Sequence, residues 1–147
     1  MLLICWPIFA VPCPQAQPDN PASADQLFLS SPACRLPAKD SSQAGPLLKA
    51  IALHPSAGGY EALGNLYVQN QSYACAAAAF RSALSLDGTF WQARYSLGLA
   101  LAQKGSYQQA RAELRKAIAQ KPDLAKAHHA LGSVLQHLGN TDGAIEN

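Results

Sequence analysis

Apolar residues recur at helical spacing over two adjacent blocks, 91–104 and 107–120, with Gly105 and Ser106 between them and Lys121-Pro122-Asp123 after the second. Each block is too short to be a stable helix alone in water, so each must bury one face against a neighbour. The neighbour is encoded by repetition. A shift of 34 residues superimposes Leu63, Leu97 and Leu131, each followed by a glycine, Gly64, Gly98 and Gly132. It also aligns Ala76 with Ala110 and Ala144, Tyr73 with Tyr107, Ala83 with Ala117 and Phe80 with Leu114. The same pattern predicts helices over 44–53, 57–70, 73–86, 91–104, 107–120 and 125–138, with a stub from 141. Turns are predicted at Asn70-Gln71-Ser72, Gly105-Ser106 and Gly139-Asn140, all rich in turn-forming residues. A glycine inside a helix costs about 1 kcal/mol relative to alanine. The cost is tolerable where the missing side chain admits a partner helix, and Ala76, Ala110 and Ala144 are expected to face those notches.

A 34-residue unit with this order of Leu-Gly, Ala, large apolar residue, Ala and Pro resembles the tetratricopeptide repeat. The middle unit carries Leu97, Gly98, Leu101, Gly105, Tyr107, Ala110, Leu114, Ala117 and Pro122, and departs at Arg94, where a large aromatic is usual. The first has Gly88 in place of the closing proline. The resemblance implies an all-α solenoid of antiparallel helix pairs wound into a right-handed superhelix. The boundaries expected are a degenerate half-repeat at 44–56, repeats at 57–90 and 91–124, and a truncated repeat at 125–147. The half-repeat is expected to cover the open apolar side of the helix at 57–70.

The resemblance also implies that the first helix of each pair lines a concave surface where partners bind. By repeat position the lining residues are Asn65 and Gln69, then Gln92, Tyr95 and Gln103, then Lys126, His129, Ser133 and Gln136, with Glu61, Val68, Leu99, Ala102 and His137 alongside. Such a surface, mostly neutral and hydrogen-bonding, suits an extended protein or peptide segment. Two specificities known in the family are not expected. The positions of the carboxylate clamp that holds chaperone tails carry Glu61, Asn65, Ser96, Lys126 and Ala130, so only Asn65 and Lys126 match. The asparagine ladder of the sugar-transferase members is replaced by Ala62, Ser96 and Ala130.

The search for chemistry yields no catalytic residue, no cofactor site and no metal site. No paired carboxylates, G-x-S-x-G, P-loop or H-E-x-x-H motif occurs. His128 and His129 are adjacent and diverge by about 100° on a helix, and His137 lies about 12 Å further along it. The chain therefore reads as a non-catalytic interaction module. A second reading is the docking arm of a longer protein whose further part carries more repeats or an enzyme domain.

Composition narrows the partner class. A net charge of +2 with 14% charged residues gives no electrostatic footprint for nucleic acid, and no apolar run is long enough for a membrane span. Residues 1–17 hold an apolar stretch followed by proline and small residues, which resembles a secretory signal peptide. Export to a periplasmic or extracellular space is expected on that pattern; a mis-assigned start or a disordered apolar tail, in a cytoplasmic protein, is the alternative. Prolines at 18, 21, 32 and 37 make 18–43 a linker. In an exported chain Cys13 and Cys34 are candidates for a disulfide, against unpaired cysteines, which the sequence slightly favours. Cys75, beside Ala76, is expected to be a small buried hydrophobe. The open end at 125–147 is expected to be the least stable part and a candidate surface for homo-oligomerisation.

Overall fold

In the computed structural model the described residues are Leu29, Cys34, Arg35 and 41–145. The expected signal segment at 1–17, most of the linker, Cys13 and the Ala144 side chain lie outside them. Six α-helices and no strands occur among the described residues. They are α1 (Ser41–Leu53), α2 (Ala57–Gln69), α3 (Tyr73–Leu86), α4 (Trp91–Gln103), α5 (Tyr107–Gln120) and α6 (Ala125–Ile145). Each helix packs on the next, and α4 also touches α2 and α6. The first helices of successive units therefore lie side by side. α1 starts at Ser41, before the expected residue 44, and carries Pro46 inside it.

Packing follows the 34-residue register. Phe80 and Leu114 are fully buried, as are Ala76, Ala83, Ala110 and Ala117. The glycine notches, however, are not filled by the alanines. A Cβ built on Gly64 would lie 2.5 Å from Phe80 Cε1, and one on Gly98 would lie 2.7 Å from Leu114 Cγ. The knob is the large residue four positions after each alanine. One helical turn separates the two positions on the same face, and sequence spacing alone does not rank them.

The turns close in a shared way. Ser72 N–H donates to the Tyr67 carbonyl and Gln71 N–H to that of Val68; Ser106 and Gly105 repeat both bonds on Leu101 and Ala102. This Schellman pairing places one residue in the left-handed region, and Gln71 (φ 57°) and Gly105 (φ 84°) take that place. Left-handed backbone strains a residue that has a Cβ by about 1–2 kcal/mol, while glycine loses more unfolded-state freedom by about 0.4–1 kcal/mol. Gln71→Gly is therefore expected to stabilise the chain by about 0.5–1 kcal/mol, read as a raised midpoint in thermal unfolding.

The third expected turn, at Gly139-Asn140, is absent: α6 runs unbroken from Ala125 to Ile145, and there is no separate stub from 141. A Cβ on Gly132 would meet nothing within 4 Å. No knob is seated there, so no side-chain burial offsets breaking the helical hydrogen bonds at 139.

Cys75 is buried as expected, but it is not a free thiol: it forms a disulfide with Cys34, Cα to Cα 5.5 Å. The Tyr67 hydroxyl donates to the Cys34 carbonyl at 2.8 Å in the same buried spot, and burial raises the Tyr67 pKa. Cys34 is therefore neither paired with Cys13 nor unpaired; the 41-residue separation from Cys75 leaves no local signal, and only the fold brings Cys34 onto α3. Arg94, the departure from the repeat pattern, links two units. Its guanidinium donates to Glu113 Oε2 (3.1 Å), Gln120 Oε1 (3.2 Å) and the Gly88 carbonyl (2.8 Å). Gly88 lies in the loop that lacks the closing proline. There Asp87 Oδ1 accepts from the Thr89 N–H and hydroxyl, which holds the Asp87 carboxyl below its usual range.

Candidate binding groove

The side-by-side first helices leave two adjoining hollows. One, of about 620 Å³, lies between α4 and α6. Tyr95, Leu99, Ala102 and Gln103 come from α4, and Lys126, His129, Ser133 and His137 come from α6. The other, of about 320 Å³, lies between α2 and α4, with Asn65 and Val68 on one wall and Ser96, Leu99 and Gln103 on the other. Leu99 and Gln103 line both, so the two hollows form one trough across three helices. Helical periodicity explains the wall: 95, 99, 102 and 103, like 126, 129, 133 and 137, fall on one face at i, i+3 and i+4.

Of the residues expected from sequence, Tyr95, Gln103, Lys126, His129 and Ser133 line the larger hollow, and Asn65 and Gln103 the smaller. Gln69, Gln92 and Gln136 line neither. The two walls of the trough also include residues assigned only to the core, Tyr107 for the larger and Tyr73 for the smaller. These tyrosines are 34 residues apart, each at the first position of a second helix. That repetition was the available signal. The Tyr107 ring stacks on His137, centroids 4.7 Å apart and planes within 8°, so the imidazole is held flat against an aromatic floor. Ser133 Oγ donates to the His129 carbonyl at 3.4 Å on its own helix, leaving the oxygen to act as an acceptor.

Electrostatically the trough is one-sided. Among the described lining residues Lys126 is the one formal cation, two imidazoles accompany it, and none is acidic. Among the described residues no group of three or more His, Cys, Asp or Glu side chains is placed to hold a metal ion. No helix among them is long and apolar enough to cross a membrane.

The tetratricopeptide repeat model matches residues 61–125 and again 106–146, together more than half of the 147 residues. The chain belongs to the tetratricopeptide repeat family. Its solenoid is similar to the solved structure of the Arabidopsis OM64 TPR domain, with a TM-score of 0.58 and 17% sequence identity over 80% of this chain and 99% of that one. At that identity the likeness concerns the fold alone. Among curated proteins, none matches the sequence. Tetratricopeptide repeats are in general protein–protein interaction modules, and the fold is typically non-catalytic.

Proposed function

We propose that this tetratricopeptide repeat protein is a non-catalytic docking module that holds an extended segment of a partner protein in the trough along α2, α4 and α6. The observation that carries the reading is the continuity of the trough: Leu99 and Gln103 serve both hollows, so a single chain can run across all three helices. Gln103 and Asn65 offer side-chain amides to peptide backbone groups, while Tyr95, Leu99 and the stacked Tyr107 and His137 rings provide apolar contact. The Cys34–Cys75 disulfide and the apolar stretch at 1–17 both support an exported protein, since disulfides persist in oxidising compartments.

The test uses extended peptides selected from a random library on the full chain, followed by calorimetric titration. Removing a central aromatic from an interface commonly costs about 2 kcal/mol or more. Tyr95→Ala with Gln103→Ala is thus expected to weaken the selected peptides about 30-fold or more, with the circular dichroism spectrum unchanged. Equal affinity for both proteins would rule the trough out.

A further inference from the structure

We propose that the trough fixes the order of charges in the segment it holds: one lysine or arginine at the α2 end and one aspartate or glutamate at the α6 end, with apolar side chains between them. This charge order rests on the docking function proposed above and adds the chemistry of the partner. The 34-residue register lays the concave surface out in rows, one running through Glu61, Tyr95 and His129, the next through Asn65, Leu99 and Ser133. Tyr95 and His129 line the larger hollow, and Asn65 lines the smaller. Glu61 precedes Asn65 by one turn on the same face of α2, so it continues the first row past the end of the smaller hollow.

Charge changes sign along that row. Glu61 is the only charged residue of α2, and Lys126 is the only one of α6 before Asp142. His129 stands three positions after Lys126 on the same wall. The only charge of α4, Arg94, is taken up by Glu113 of α5. Neither Glu61 nor Lys126 forms an ion pair among the described residues. Between these two unpaired charges lie the Tyr95 ring and Leu99, which is 36% exposed. Complementary charges across an interface fix register and exclude wrong partners more than they add affinity. Packed helices lie about 9 Å apart, which puts α2 about 18 Å from α6 across α4. An extended chain rises about 3.3 Å per residue, so the basic and acidic residues of the occupant stand about six positions apart.

A random library of peptides selected on the full chain is expected to yield sequences with one basic and one acidic residue about five to seven positions apart. For a selected peptide, replacing the basic residue by glutamate is expected to weaken binding about fivefold or more, read by fluorescence anisotropy at fixed salt. Glu61→Lys, at a half-buried surface position, is expected to weaken the parent peptide and restore the substituted one. The milder Glu61→Gln is expected to remove the preference between the two without reversing it. Lys126→Glu, at an exposed position, is expected to restore a peptide whose acidic residue has been replaced by lysine. Tyr95→Ala with Gln103→Ala should weaken every one of these peptides. If either charge exchange fails to restore binding while that double variant still weakens it, the charge order is overturned and the docking function stands. A library that yields no peptide sensitive to the double variant overturns both.

Discussion

Phe80→Ala lowers the stability of the chain by about 3–5 kcal/mol, the range for truncating a fully buried aromatic. The ring has no exposed surface and lies in the notch at Gly64, 2.5 Å from where a Cβ would be. On the same face of the helix its neighbours are Ala76 and Ala83, both buried, which have little side chain with which to close the cavity. The same geometry predicts a change of sign at position 64. In the native protein Gly64→Ala forces a methyl group into the ring and costs about 1–3 kcal/mol. In the Phe80→Ala background the clash is gone, and Gly64→Ala gains about 1 kcal/mol from helix propensity. Urea unfolding of the four proteins measures the coupling. A Gly64→Ala penalty that is the same in both backgrounds would show that the ring does not fill the notch.

Loss of the Cys34–Cys75 disulfide costs about 4 kcal/mol in the chain-entropy account for a loop of some 41 residues. The consequence is expected to be local. Helices in a solenoid are stabilised by their neighbours, so Cys75→Ala is expected to speed amide exchange in α2 and α3 while leaving α5 protected. Tyr67 shares the site, and its hydroxyl bond to the Cys34 carbonyl is lost when that segment is released. Thermal unfolding with and without reductant measures the effect, the Cys75→Ala protein being expected to show no response to reductant. A native protein equally indifferent to reductant would mean that Cys34 adds nothing to the fold.

The helix pairs, the bounds of α2 to α5 within a residue at each end, and most of the trough wall were legible. They depend on local periodicity and on a register repeated across three units, as at Leu63, Leu97 and Leu131. The same rule places Gln69, Gln92 and Gln136 on the wall, yet they line neither hollow, because which part of a helix face reaches a hollow depends on how the helices cross. The repeat register places Tyr107 in the core alone, although its ring, flat on His137, also lines the trough.

Sequence alone thus determined that short amphipathic helices must pair, since none can stand unburied and the spacing of Leu, Gly and Ala recurs at a constant interval. Tertiary structure alone decided which side chain enters each notch, that Cys34 bonds to Cys75, that Arg94 ties Gly88 to Glu113, and that α6 does not turn at Gly139. The physical reason is range. Helix formation and amphipathicity are set within a few turns of chain, whereas the two knobs, the disulfide and the Arg94–Glu113 ion pair join residues 16 to 41 positions apart and form only where packed helices bring them within contact distance.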